Sequence, residues 1–362
     1  MHYLSSGDLA VRGFVDQEEL EWLIEASSYD GNPESTFSSD RRLQRLANVA
    51  LAALITSKWF LTGTIFQMHL RSTIVKNTSC LTWLLKMASS GSISLCPETT
   101  LDKLGKFEKI GTGGTSIIHK TVWKETGEIV AVKVFNESER KEAILHEVSM
   151  MSLLKHPNVL PVYARGCIHG EYAIQMFSIS PFAEKSSLYH AIQENDPTFN
   201  FAIRYQVLIQ IAHAIEYLHS LEIIHRDIKS LNILLTKNYQ VYVGDVGSSR
   251  VQDVTMTCNT GTVSWMAPEM FSTQSYTKSI DVYSFSMLLF EVIFSKVPFT
   301  ELNHFEVPGA VVKGTRPQLP FDISKPWYKL MSSMWNGKPQ KRPTISEVLL
   351  SMEELHSTPF TK

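Results

Sequence analysis

The chain has 362 residues, 44% of them hydrophobic and 19% charged, with 34 Lys and Arg against 36 Asp and Glu for a formal net charge of −2. Such a chain can bury a sizeable core, and its length suits a two-lobed enzyme or two domains. The near-balanced charge excludes a single-sign field for capturing nucleic acid or an anionic membrane surface, so neither is expected as a partner.

Residues 1–88 read as helical. Leu20, Leu23 and Ile24 recur at helical spacing, Gly31, Asn32 and Pro33 break the chain, and Asp40 can cap a second helix over Arg41 to Ile55. A third candidate runs from Leu81 to Met87. The apolar stretch Leu46 to Phe66 carries Lys58 near its middle, where a charge costs about 2.5–3.5 kcal/mol in a bilayer, so a buried soluble helix is expected rather than a span. Asp16, Glu18, Glu19 and Glu21 stand where a secretory signal needs an apolar core. The run NPESTFSSDRRLQRLANVALAAL resembles an armadillo-type repeat over about one repeat and part of another, and such helices would offer a surface to a protein partner. Cys80, Cys96, Cys167 and Cys258 form no C-x-x-C pair, which suits free thiols in a reducing, cytoplasmic setting. Residues 89–103 are small, polar and broken by Gly and Pro, the composition of a linker.

Beyond Leu104 the texture changes to short strands and then long helices. Phe107 to Val122 reads FEKIGTGGTSIIHKTV, two β-runs around a glycine turn. Gly111 and Gly113 let backbone N–H groups approach phosphate oxygens with no Cβ in the way. In EIVAVKVF, the residues Ile129, Ala131, Lys133 and Phe135 share one strand face, and a Lys among apolar neighbours must snorkel to solvent or meet an anion. Arg140 to Lys155 predicts a helix with Ile144, Val148 and Met151 as its apolar stripe. Glu147 falls on the same face, where Lys133 could supply its partner charge.

Ile224 to Leu235 reads IHRDIKSLNILL. Packing alone does not explain His, Arg, Asp, Lys and Asn threaded between apolar residues, whereas phosphoryl transfer does. Asp227 would accept or orient the hydroxyl proton of a nucleophile, Lys229 would sit beside the transferring group, and Asn232 would bind Mg²⁺ through its carbonyl oxygen. Val241 to Gly247 (VYVGDVG) offers Asp245 as a second Mg²⁺ ligand. GTVSWMAPE, KSIDVYSFSMLLFE and QKRPT each read alone as turn, core helix or cap, and their order gives them weight.

This ordered set, from about Leu104 to Leu355, resembles the eukaryotic protein kinase family. KSSLYHAI, HRDIKSLN, GTVSWMAPE and IDVYSF resemble its tyrosine-kinase-like branch, near the Raf and mixed-lineage types, and Lys229 two residues after Asp227 matches serine/threonine kinases. The resemblance implies an α+β, two-lobed fold. A small, mainly antiparallel sheet lobe would span 104–179, a helical lobe 180–358, with ATP and Mg²⁺ between them and the γ-phosphoryl group passing to Ser or Thr of protein substrates. It implies that Lys133 binds phosphates and pairs with Glu147, and that Ile110, Gly111, Gly113, Ser116, Ile118 and Ala131 surround the nucleotide. It further implies Met176 as gatekeeper, Phe177 to Ile179 as hinge, Arg226 as receiver of an activation-segment phosphate, and Thr262 bonded to Asp227 and Lys229. Glu269 would pair with Arg342, and Asp281 would anchor the catalytic-loop backbone. Ser116 replaces the third glycine, Ile118 the usual Val, and Val246 a Phe, leaving room that a larger ring could occupy beside Met151. The alternative is a nucleotide-binding pseudokinase or scaffold acting through its N-terminal helices.

Overall fold

The computed structural model describes residues 97–361 apart from 114–115, 137–143, 145–147, 149–150, 153, 170–173, 195, 247–262 and 273–275. The helical readings of residues 1–88 and the armadillo-like stretch therefore lie outside the described residues, as do Glu147, Thr262, Cys80, Cys96 and Cys258.

Residues 94–362 form one compact unit. It opens with five antiparallel strands: β1 (Glu108–Thr112), β2 (Ser116–Val122), β3 (Ile129–Phe135), β4 (Ala164–His169) and β5 (Ile174–Pro181), in the spatial order β1-β2-β3-β5-β4. The period-two pattern of β3 divides its side chains. Val130, Val132 and Val134 join Leu104, Ala164, Phe177 and Ile179 in a core on one face. Ala131 and Lys133 look out from the other, and Phe135 there packs with Ile144, Val148 and Met176. Each large side chain so enclosed contributes roughly 1.5–3 kcal/mol.

Part of the stretch read as a linker lies along β4. Thr99 N–H donates to Arg165 O at 2.8 Å, Arg165 N–H donates to Pro97 O at 3.1 Å, and the Arg165 guanidinium meets Glu98 at 3.0 Å. Gly166 permits this closeness, because a Cβ there would stand 2.3 Å from Thr99 O and 2.4 Å from the Phe177 ring.

After β5 the chain is mainly helical, as the resemblance implied. The helices are α1 (Leu188–Gln193), α2 (Phe201–Ser220), α3 (Ser279–Phe294), α4 (Val307–Val312), α5 (Lys325–Met334) and α6 (Ile345–Glu354), and a hairpin of β6 (Ile233–Leu235) and β7 (Val241–Val243) follows α2. Asn200 caps α2 by accepting from Ile203 N–H, and Thr344 with Glu347 forms a reciprocal capping box on α6. Every residue of α3 from Ile280 to Val292 is buried, so this helix is the centre of the lobe rather than an amphipathic surface element. Among the described residues no helix is long and apolar enough to cross a membrane.

Candidate active site

The sheet supplies the first charged group. Lys133 lies opposite Ile118 on β2 and Ser178 on β5, and its ammonium sits 5.0 Å from the centroid of the Phe135 ring. Lys133 Nζ reaches Asp245 Oδ1 at 3.1 Å, two residues beyond the end of β7. Burial pushes the Asp245 carboxyl up, but the Lys133 charge and hydrogen bond, helped by His225 and Lys229, outweigh it and hold the acid below its ordinary value. Asp245 is therefore an anionic oxygen donor at neutral pH. Its φ of 57° puts a non-glycine residue in the left-handed region, a cost of about 1–3 kcal/mol that surrounding contacts must sustain.

The catalytic-loop candidate runs between α2 and β6, and α3 holds it from below. Asp281 is fully buried and accepts from His225 N–H at 2.8 Å, Arg226 N–H at 2.9 Å and the His219 ring at 2.8 Å. Burial raises the Asp281 carboxyl, yet the His219 hydrogen bond and charge, then His225 and the Arg226 N–H, bring it below the usual range. These bonds sustain Arg226 at φ 71°, another left-handed non-glycine. The His225 ring is fully buried, with Nε2 2.9 Å from Gly244 O and Nδ1 accepting from Asp227 N–H at 3.3 Å.

Asp227 is thereby presented with its two oxygens in different settings. Oδ2 accepts from Lys229 Nζ at 2.7 Å and from Asn232 Nδ2 at 2.8 Å. Oδ1 is buried and, among the described residues, has no hydrogen-bond partner. A buried carboxylate oxygen left open is costly unless something donates to it, and an incoming hydroxyl is suited to do so. Asn232 also donates to Asp227 O at 2.8 Å, which commits its amide nitrogen and leaves its amide oxygen for a cation. The hard oxygens of Asn232 and Asp245 suit Mg²⁺, which keeps several waters and phosphate ligands of its own. Among the described residues there is no cluster of three or more His, Cys, Asp or Glu that could hold a metal.

The nucleotide-side residues are placed less uniformly. Gly111 lies opposite Ile118, and Gly113 N–H donates to Ser116 O at 2.8 Å, closing the visible part of the glycine turn. Ile110 is 45% exposed on β1, and Ala131 lies opposite Ser180. Ser116 is only 5% exposed and opens β2 opposite Phe135, so it is part of the strand pairing.

Two expectations need correction. Phe177 to Ile179 are mid-strand residues paired with β3 on one side and β4 on the other, so their backbone is committed to the sheet and cannot form a hinge. The Ile179 side chain is fully buried in the core with Val130 and Val132, away from the Ala131 face. Met176, on the same face as Ala131 and Lys133, packs with Phe135, Ile144 and Val148 within the strand rather than at its end. The residue beside Ala131 is Ser180, and the connecting segment begins after Pro181, with Phe182 under the Lys120 ammonium at 5.0 Å. Pro181 was the available signal, since it lacks the N–H a continuing central strand needs.

Further along, Arg342 makes a two-pronged contact with Glu269 at 2.6 and 2.8 Å and donates to Ser279 O at 3.0 Å. This ties the segment after Trp265 to the start of α3. Arg226 stacks on Tyr276 at 5.6 Å.

A family model described as protein tyrosine and serine/threonine kinase matches residues 104–352. RGS domain-containing serine/threonine-protein kinase A of Dictyostelium discoideum is 32% identical over 281 residues, covering 75% of this chain and 24% of that protein. Mitogen-activated protein kinase kinase kinase 7 of Drosophila melanogaster is 33% identical over 256 residues, covering 68% of this chain and 37% of that protein. The chain thus spans well under half the length of these relatives. With its five-stranded sheet, its helical lobe and a family match over most of its length, the chain belongs to the protein tyrosine and serine/threonine kinase family.

Proposed function

We propose that this chain is an ATP-dependent serine/threonine protein kinase that transfers the γ-phosphoryl group to hydroxyls of protein substrates. The observation that carries the reading is Asp227, whose Oδ2 is committed to Lys229 and Asn232 while the buried Oδ1 remains open. That asymmetry fixes the carboxylate in one orientation and leaves one oxygen for the acceptor hydroxyl. Lys229, held 2.7 Å from Asp227, sits where it can balance charge on the transferring group. Lys133 would bind phosphate oxygens of ATP, with Gly111 and Gly113 giving the backbone close approach and Ile110, Ile118 and Ala131 offering apolar surface to the base.

Asn232 and Asp245 would hold Mg²⁺, which when bound supplies positive charge against the phosphates. Two relatives named as serine/threonine-protein kinase and mitogen-activated protein kinase kinase kinase support Ser/Thr as the acceptor class, as does Lys229 in its position after Asp227. Incubation with radiolabelled ATP, Mg²⁺ and a generic basic protein, followed by phosphoamino-acid analysis, tests it. Label on Ser or Thr is the expected result, and label on Tyr alone or none at all overturns it.

A further inference from the structure

The segment after α6 takes no part in the proposed chemistry, and it lies past residue 352, where the family match ends. Tyr205 Oη on α2 donates to Met352 O at 2.8 Å, and Leu355 N–H donates to the same carbonyl at 3.0 Å. The chain then turns, with Thr358 N–H donating to Leu355 O at 2.8 Å. From there it crosses the start of α5. Thr358 O accepts from the Trp327 Nε1–H at 2.9 Å, Phe360 O accepts from Ser324 N–H at 2.9 Å, and Thr361 forms an antiparallel bridge with Ile323. The Phe360 ring, 7% exposed, stands edge-on to Trp327 at 4.9 Å and to Phe201, the first residue of α2, at 4.7 Å. Residues 355–361 thus form a strap across the starts of α2 and α5, with Phe360 as its plug and main-chain contacts on either side of it.

In the whole sequence two hydroxyl side chains directly precede a proline, Ser180 and Thr358. Ser180 is 8% exposed within β5 and paired with Ala131, so its hydroxyl is enclosed in the folded chain. Thr358 is half-buried and lies between the exposed Ser357 and Pro359. The strap hangs on one inserted ring and on main-chain bonds, the pattern of a segment that opens locally while its lobe stays folded. Once open, Thr358 is biased toward an extended backbone by the proline that follows it. A phosphate on Thr358 would be badly placed in the closed strap. The residue sits just past the C-terminal end of α6, where the last carbonyls carry partial negative charge, and Glu353 and Glu354 add two exposed carboxylates in the final turn.

We propose that Thr358 is a phosphorylation site for a separate, proline-directed serine/threonine kinase, and that the phosphate releases the strap and unseats Phe360. In that step the γ-phosphorus of ATP forms a bond to Thr358 Oγ1 and its bond to the β–γ bridging oxygen breaks. ADP leaves, and the hydroxyl proton passes to the base of the modifying enzyme. Repulsion from the end of α6 then favours the open strap, which uncovers Phe360 together with the aromatic seat made by Phe201 and Trp327. The site stands whether or not this chain itself transfers phosphate.

The test treats the full chain with a cyclin-dependent kinase as the modifying enzyme and ATP–Mg²⁺, for wild type, Thr358→Ala, Pro359→Ala and Phe360→Ala. Mass spectrometry locates the phosphate. Amide hydrogen exchange at Ser324, whose N–H is bonded to Phe360 O, and the rate of chymotryptic cleavage after Phe360 report whether the strap is closed. Wild type should be modified at Thr358, and the rate of modification there should fall by about tenfold or more in Pro359→Ala. Modified wild type should exchange at Ser324 and be cut after Phe360 about tenfold faster or more than the unmodified chain, with exchange approaching that of Phe360→Ala. The same treatment of Thr358→Ala should change neither rate. No phosphate at Thr358, phosphate there without need of the added enzyme, or phosphate there with both rates unchanged or slowed would each overturn the proposal. Should Phe360→Ala fail to fold, the comparison of modified with unmodified wild type decides the matter by itself.

Discussion

Lys133 Nζ stands 3.1 Å from Asp245 Oδ1, so a cation on the middle strand of the sheet and an acid just past β7 form one ion pair across 112 residues of chain. The pair keeps Asp245 ionised and places a positive charge at the mouth of the proposed phosphate site. The sheet and the β6–β7 hairpin therefore present their charges to one point.

Lys133→Met is expected to weaken ATP binding by at least about tenfold, because it removes the phosphate-side cation and leaves Asp245 with less compensation. Isothermal titration of ATP–Mg²⁺ checks this, and affinity within about twofold of wild type would count against the role of Lys133.

Stability should depend on pH in a way that Glu291 dominates near neutrality. Its folded value of about 7 lies above the ordinary 4.5, so the native state holds its proton more tightly than the unfolded chain does. That contribution is complete below about pH 4.5 and is lost as the pH rises through about 7, amounting to at most about 3 kcal/mol. Asp245 and Asp281 are shifted the other way, so their contributions are present above the ordinary carboxylate range and fade only as the pH falls below it. Glu291→Gln should flatten the fall in stability between about pH 4.5 and 7, as measured by denaturant unfolding at a series of pH values. An unaltered slope in the variant would show that Glu291 does not titrate in this window.

Gly166→Ala tests the attachment of Pro97–Thr99 to β4. A Cβ there would meet a backbone oxygen at 2.3 Å and a buried Phe ring at 2.4 Å, so the strands must separate. The expected cost is about 1–3 kcal/mol, or roughly 2–12 °C in melting temperature for a domain of this size. Gly309→Ala on α4 is the matched control. Its Cβ would meet nothing within 4 Å, and helix propensity favours the change by up to about 1 kcal/mol.

Val246→Phe is expected to overpack. The sequence suggested room beside Met151 for a larger ring, but the Val246 side chain is fully enclosed and Met151 is itself only 7% exposed. The added ring must displace neighbours at a cost of about 1–3 kcal/mol, with lower basal turnover. Thermal unfolding with and without ATP–Mg²⁺, alongside turnover of the unphosphorylated enzyme, checks it, and equal or higher stability would restore the sequence-based view.

The candidate catalytic loop stood out in the sequence because its residues break a local rule. Charged and amide side chains threaded between Ile224, Ile228 and Ile233 make poor packing and good chemistry, and the structure gathers Asp227, Lys229 and Asn232 through bonds between near neighbours. The end of β5 was harder to read. Alternation along IQMFSISP looks the same at Met176 as at Ser180, and only pairing with β3 and β4 decides which residue reaches the edge. Glu291 was harder still. An acid at the end of an apolar helix reads as a solvated terminus, and its partners Ser230 and Trp265 lie 61 and 26 residues away. Asp281 could be assigned in advance only through the family resemblance, since its three donors are contributed by distant segments.

The central claim is that Asp227 orients the acceptor hydroxyl through its open oxygen. Asp227→Asn keeps the shape of the side chain and removes its charge and its capacity as a proton acceptor. The direct measurement is single-turnover transfer of label from ATP to a Ser/Thr peptide, with ATP affinity determined on the same preparations. The account predicts a rate lower by about a thousandfold or more, a loss of roughly 4 kcal/mol in transition-state stabilisation, with ATP affinity nearly unchanged. A variant that still transfers label within about tenfold of wild type, a difference of only about 1.4 kcal/mol, would contradict it.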